Sequence, residues 1–180
     1  MTVDDIFSIY ARGGASLYFG EPITVAEHGL QTAHFARTAG AGDALVVAAL
    51  LHDIGHLIHA APDYIAEWHS DDHHEVIGSR WLASCFGPEV SEPVRLHVPA
   101  KRYLCATNAS YFSRLSAASV QTLKLQGGPM SAAEVSIFET EPYQHDAVLL
   151  RQCDDQGKVL GLQTPGFEHY REIVRACQSR

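Results

Sequence analysis

The sequence predicts an all-α fold built as one domain over residues 1–180. Three observations carry that expectation. Apolar residues recur at helical spacing, and no stretch shows the alternation of a half-buried strand. Capping signatures open several of the apolar stretches. The 180 residues suffice for one full core but not comfortably for two, and no repeat, linker or low-complexity segment divides them.

A first helix is expected from about Val3 to Ala11, stopped by Gly13 and Gly14, with "SLYFGEPI" as a loop after it. In "TVAE", Thr24 can accept from the amide of Glu27 while the Glu27 side chain reaches back, which opens a helix running to about Ala39. Asp43 is expected to cap a long apolar helix carrying "AALLHDIGHLIHA", Ala48 to Ala60. The stretch "APDYIAEWHSDDHHEVIG" reads as a polar, aromatic loop leading into a helix from about His74 to Cys85. "FGPEVSEP" reads as a break, with the next helix starting near Val94. "NASYFSRLSAASVQTLKLQ" reads as an amphipathic helix ended by "GGP". A second capping box stands at Ser131 and Glu134, a further helix reaches Cys153, "DDQGK" is a turn, and "EHYREIVRACQ" is the last helix.

The formal charge of −8 argues against nucleic acid as the main partner. No apolar run has membrane-spanning length, and the acidic N-terminus lacks a signal-peptide core, so a soluble cytoplasmic protein is expected. Cys85, Cys105, Cys153 and Cys177 form no CxxC pair and read as free thiols.

The eleven histidines are the unusual feature. Within the buried-looking motif, His52, Asp53, His56 and His59 stand where Leu and Ala belong. A buried carboxylate among imidazoles is costly unless something pairs with it, and a metal cation does so. In a helix, His52 and His56 share a face and Asp53 lies about 100° round the axis. One helix supplies two or three ligands at most, so others must converge. The candidates are His28, with His34 as rival; His74, with His73 as rival; His97; and Asp154, with Asp155 beside it. Four imidazoles and two carboxylates would suffice for two metals sharing Asp53, and mixed N/O ligation suits iron, with manganese or zinc as alternatives.

An early His, an adjacent His-Asp and a late Asp (His28, His52, Asp53 and Asp154) make the chain resemble the HD-domain superfamily, which implies a helical bundle. The blocks "YFGE", "EHGLQTAHFA", "AALLHDIGH", "AKRYL", "ASYFSRLSAAS", "LQGGPM" and "PGFEHYR" resemble more narrowly the mixed-valent diiron HD oxygenases of phosphonate catabolism. That resemblance implies two irons, Fe(II)/Fe(III), with O2 as co-substrate and a small organophosphonate as substrate. His28, His52, Asp53 and Asp154 would hold one iron, and His74 and His97 the other, with Asp53 bridging. Tyr18 would cap an open iron position before substrate arrives, forming with Glu21 a mobile gate. Glu21 would stand near the substrate's nitrogen end, and His56, Lys101, Ser119 and Thr122 would bind its phosphonate. Pro99, between His97 and Lys101, departs from the pattern and can kink a helix.

The reaction implied is a four-electron oxidation by O2 that cleaves the carbon–phosphorus bond of a 1-hydroxy-2-amino- or 1-hydroxy-2-(trimethylammonio)ethylphosphonate. Phosphate leaves, with glycine or glycine betaine as the other product. Tyr64 and Trp68 beside Asp63, Asp71 and Asp72 favour the trimethylammonium, since a quaternary cation prefers aromatic faces, unless the two rings merely pack their loop. The alternatives are a metal-dependent phosphohydrolase, a ring-cleaving diiron oxygenase of the same architecture, and a degenerate module that only binds partners. The full ligand set speaks against the last.

Overall fold

The run "LVVAALL", Leu45 to Leu51, is buried on every face. A helix that is apolar all round must be wrapped by others, and this one, α3 (Asp43–Leu51), lies at the centre of the chain. The computed structural model describes residues 1–59 and 73–179, with the His59 side chain outside the description. The aromatic and acidic loop that holds Tyr64 and Trp68 therefore lies outside the described residues.

Around α3 pack α2 (Val25–Thr38), α6 (Pro88–Thr107), α9 (Gln144–Gln156) and α10 (Phe167–Cys177). Helix α9 also packs on α2 and α6, which brings the late acidic residues towards His28. Helix α4 (Ile54–His59) lies against α5 (His74–Leu82) and α1 (Val3–Gly13), and α5 against α6. The shorter α7 (Ala117–Leu125) and α8 (Ala132–Phe138) follow α6. Among the described residues, β pairing is confined to two isolated bridges, Leu17 with Thr24 and Phe86 with Gln178, so the architecture is all-α. No helix among them is long and apolar enough to cross a membrane.

Both expected capping boxes form, at Thr24 with Glu27 and at Ser131 with Glu134. Several other expectations need correction. The motif helix is not continuous: α3 ends at Leu51, His52 and Asp53 occupy a turn, and α4 begins at Ile54. The His52 ring donates to the Ala49 carbonyl at 2.9 Å, competing for the acceptor that a continuing helix would use. Asp43 is the first helical residue and not the cap; Gly42 holds that position, and Asp43 pairs with Arg37 at 2.8 Å. Helix α5 stops at Leu82, short of Cys85. Helix α6 starts at Pro88, because proline suits the first helical turn, and it runs on through Pro93 and Pro99. The supposed amphipathic helix from Asn108 is a short 3-10 turn, Phe112–Arg114, followed by α7 with Ser116 as its cap. Helix α9 continues past Cys153 to Gln156.

Two glycines set the spacing around the site. A Cβ on Gly29 would stand 2.7 Å from the Leu50 carbonyl oxygen, so α2 can approach α3 closely only with glycine there. A Cβ on Gly55 would lie 2.1 Å from the carbonyl oxygen of His74, where a backbone and not a flexible side chain would have to move. Overpacking typically costs about 1–3 kcal/mol. Gly55→Ala should therefore lower the unfolding free energy by roughly 2 kcal/mol or more in a urea titration. It should also weaken metal binding, by carrying His74 away from Asp53. An unchanged urea midpoint would show that the two helices do not meet this closely.

Candidate metal centre

Four elements and the α3–α4 turn each bring a side chain to one buried point. His28 comes from the first turn of α2, His52 and Asp53 from the turn, His74 from the start of α5, His97 from the middle of α6 and Asp154 from the last turn of α9. All six are buried.

The Asp53 carboxylate divides between two pairs of imidazoles. Its Oδ2 lies 3.6 Å from His28 Nε2 and 3.3 Å from His52 Nε2. Its Oδ1 lies 3.4 Å from His74 Nε2 and 3.7 Å from His97 Nε2. Asp154 joins the first side, with Oδ1 3.4 Å from His28 Nε2 and Oδ2 4.0 Å from His52 Nε2.

The far side of three rings is anchored. His28 Nδ1 meets the Gly157 carbonyl at 2.8 Å, His52 Nδ1 the Ala49 carbonyl at 2.9 Å, and His97 Nδ1 the Val94 carbonyl at 2.7 Å. A carbonyl only accepts, so each Nδ1 donates, and each neutral ring presents an Nε2 lone pair to the centre. His28 and His52 then face each other lone pair to lone pair at 3.1 Å. Two such nitrogens repel unless a cation sits between them. Adjacent ligands on a metal with bonds near 2.1 Å fall about 3 Å apart. Asp53 Oδ2 and Asp154 Oδ1, beside this pair, are buried without a hydrogen-bond partner. The donor set therefore fits a metal, and the anchoring bonds are the kind that orient metal-bound histidines.

Charge follows the same pattern. Burial pushes the Asp53 carboxyl up, but His52, His56 and His74 together outweigh it and hold the group well below the usual carboxylate range. Burial raises Asp154 too, and Arg151, Lys158 and His28 more than reverse it. Burial, with His52 and His74 nearby, drives His97 well below the ordinary imidazole value. His52 is raised, since Asp53 and Asp154 overcome its burial. Ionised carboxylates and a neutral His97 are the protonation states that metal binding demands, and at His52 a bound cation would take the place of the proton that the two carboxylates favour.

The rivals stand elsewhere. His34 is half-buried against Phe35, and His73 is exposed, 3.9 Å from Glu75. Asp155 is taken by Arg151 and Tyr111. His56 stacks on His74 at 3.9 Å, with its Nε2 4.0 Å from Asp53 Oδ1. Tyr18 lies flat on His28, ring centres 3.9 Å apart, in a turn where Phe19 and Gly20 both have positive φ. Its phenol is held well above the usual range by burial, then by Asp53 and Asp154. Glu21 closes that turn, donating its amide to the Tyr18 carbonyl, and its Oε1 is buried without a hydrogen-bond partner.

Beside the carboxylates lies a cationic patch. Pro99 does not separate His97 from Lys101, and both are buried within α6. Lys101 Nζ donates to Thr122 Oγ1 at 2.9 Å. Lys158 Nζ donates to Ser119 Oγ at 3.0 Å and stands 3.5 Å from Asp154 Oδ1. Lys158 and Arg151 are the residues that sequence reasoning missed. The local signals were a cation four residues beyond Asp154, inside what reads as a turn, and Arg151 three and four residues before the two aspartates at helical spacing.

A helical domain with a buried carboxylate set between two histidine pairs, a donor set that could hold metal, is the arrangement of the HD class. Residues 25–127 match the HD domain family, and the chain belongs to that family. It is 46% identical, over 97% of its length and 87% of the relative's, to hydroxymethylphosphonate dioxygenase of Gimesia maris. It is 43% identical to the glycine-betaine-forming [1-hydroxy-2-(trimethylamino)ethyl]phosphonate dioxygenase of Leisingera caerulea, covering 96% of this chain and 88% of that one. An uncharacterized protein of Acanthamoeba polyphaga mimivirus is 36% identical over 96% of this chain and 80% of its own.

Asp53→Ala should remain folded, since it removes a buried charge, while the metal bound falls to a small fraction of the parent's. Elemental analysis of the purified variant checks this, and full metal content would refute a shared Asp53.

Proposed function

We propose that this chain, a single HD domain, is a diiron oxygenase that uses O2 to cleave the carbon–phosphorus bond of a small 1-hydroxyphosphonate. The observation that carries the reading is one buried carboxylate shared by two histidine pairs, next to a buried patch of lysines and hydroxyls. The names of the relatives from Gimesia maris and Leisingera caerulea support the same chemistry. His28, His52, Asp53 and Asp154 would hold one iron, and Asp53, His74 and His97 the other. Mixed N/O ligation suits iron, and the bound Fe(II)/Fe(III) pair supplies the electron and O2 chemistry that side chains lack.

The chain's own residues bind and orient. Lys101 and Lys158 supply charge, and Ser119 and Thr122 hydroxyls, for a phosphonate dianion, and His56, stacked on His74 beside Asp53, would add a further donor. Tyr18, flat on His28, keeps water from that side until substrate displaces it. The left-handed Phe19 beside it is strained, at φ 40°, which favours a turn that can rearrange. The carbon that loses its hydrogen and its phosphorus becomes a carboxylate, and O2 takes up the four electrons.

The two named relatives act on substrates that differ beyond the hydroxylated carbon, one with a bare hydrogen and one with a trimethylammonium arm. We infer a cationic substrate, because the buried Glu21 oxygen lacks a partner and a positive arm would answer its charge. An amine would also donate a hydrogen bond there, whereas a trimethylammonium has no N–H. The choice of the trimethylammonium, giving glycine betaine, rests on Tyr64 and Trp68 in the sequence, since a quaternary cation prefers aromatic faces. A polar group left unpaired disfavours the smaller analogue.

Protein purified anaerobically with iron, then given O2, should release phosphate from 1-hydroxy-2-(trimethylammonio)ethylphosphonate faster than from the amine or from hydroxymethylphosphonate. A preference for either of the others overturns the choice of substrate. Phosphate released only from phosphate esters, without O2 uptake, would instead identify the runner-up, a metal-dependent phosphohydrolase.

The pH dependence follows from Lys101. Burial, aided by Arg151 and Lys158 against the pull of Asp154 and Asp155, brings its ammonium down to about 7. The protonated form binds phosphonate and dominates below that value, so KM should rise as pH climbs past it. Lys101→Ala should keep its metal, lose that alkaline limb and raise KM at least tenfold, since truncating such a charge contact costs about 2–5 kcal/mol. A KM profile identical to that of the parent would remove Lys101 from the binding site.

A further inference from the structure

Arg151 is a buried guanidinium with every side committed. Its Nη1 forms an ion pair with Asp154 Oδ2 at 2.7 Å, its Nη2 donates to Asp155 Oδ1, and its Nε donates to the Tyr111 hydroxyl at 3.2 Å. The Tyr111 hydroxyl in turn donates to Asp155 Oδ2, which closes a ring of hydrogen bonds. Within α9 the spacings of three and four residues put Arg151, Asp154 and Asp155 on one face, and Tyr111 reaches them from the chain beyond α6. An ordinary helical ion pair would stabilise by a few tenths of a kcal/mol at an exposed surface. Here Arg151, Asp154 and Tyr111 are buried and Asp155 is partly so. A buried pair is weak evidence for stability, and apolar residues would serve as well.

What the ring achieves is a division of Asp154. The guanidinium takes Oδ2, leaving Oδ1 buried without a hydrogen bond, 3.4 Å from His28 Nε2 and 3.5 Å from the Lys158 ammonium. We infer that Arg151, Asp155 and Tyr111 are positioning residues that hold Asp154 so that one oxygen, Oδ1, is presented to the metal beside His28. Arg151 fixes the carboxylate by its planar fork, Asp155 balances the second half of the guanidinium, and the Tyr111 hydroxyl locks the fork against rotation. The aspartate that rivalled Asp154 in the sequence thus acts through it. The inference rests on the reading of Asp154 as a ligand and not on the identity of the substrate.

Two conservative variants test it. Arg151→Lys keeps the charge and loses the fork, and Tyr111→Phe keeps the ring and loses the hydroxyl. Fe(II) stoichiometry and affinity are read by chelator competition, alongside the melting of the metal-free protein. Outer partners of metal ligands typically contribute 10–100-fold to affinity. Each variant should lose about that factor at one of the two ions and keep the other, while metal-free Tyr111→Phe melts close to the parent. Parental affinity for both ions in both variants overturns the inference. So does an equal loss at both ions accompanied by an early melt, the pattern of a purely structural role. Phosphate release is not read, so an inactive parent that binds both ions would count against the proposed function alone.

Discussion

The Asp53 carboxylate is the group around which the other elements are arranged. It is ionised and buried, and an isolated charge in such a place costs several kcal/mol. The chain answers with imidazoles from four places: His28 and His52 on one oxygen, His74 and His97 on the other. Meeting that demand requires α2, α5 and α6 to approach the end of α3 from different sides. The close approaches at Gly29 and Gly55 are what allow two of them to do so. Three of the rings are then turned inward by backbone carbonyls that hold the opposite nitrogen. The result is a set of lone pairs and carboxylate oxygens aimed at one another, an arrangement that a cation completes.

Positive side chains gather just beyond the ligands, where the negative carboxylates would otherwise go unanswered. Arg151 is matched by Asp154 and Asp155, while Lys101 rests on the neutral Thr122 hydroxyl and Lys158 on the Ser119 hydroxyl as well as on Asp154. The two lysines therefore keep capacity for a further anion, and the guanidinium does not. Burial works against this arrangement by pulling the Lys101 ammonium down to about 7. A bound dianion reverses that, and so ties affinity to proton uptake.

The places where sequence reading and structure diverge share a cause. The apolar pattern on both sides of His52 predicts one continuous motif helix, yet the helix breaks where the His52 ring takes the Ala49 carbonyl. The start of α6 was placed late because "FGPEVSEP" carries two prolines, and proline at the first turn is as good an opening signal as it is a breaker. The stretch from Asn108 was read as one amphipathic helix, although Ser116 within it is a cap. The central ligands, by contrast, were legible because polar residues in the apolar motif demand a partner, and the resemblance supplied the remaining histidines and Asp154.

Composition and periodicity by themselves determined that the chain is helical, with a buried apolar centre interrupted by His52 and Asp53. Burial energetics allow few other uses for such a run, and the capping boxes at Thr24 and Ser131 are short-range hydrogen bonds that local sequence encodes. Local pattern left Asp154 and Asp155 equivalent, and tertiary structure gives the physical reason that Asp154 faces His28: Arg151 and Tyr111 engage Asp155. Tertiary structure alone brought Lys158 to Ser119, 39 positions away along the chain. No local pattern carries such information. Which long-range groups meet depends on the packing of α9 against α2 and α6, and that packing depends on the whole core.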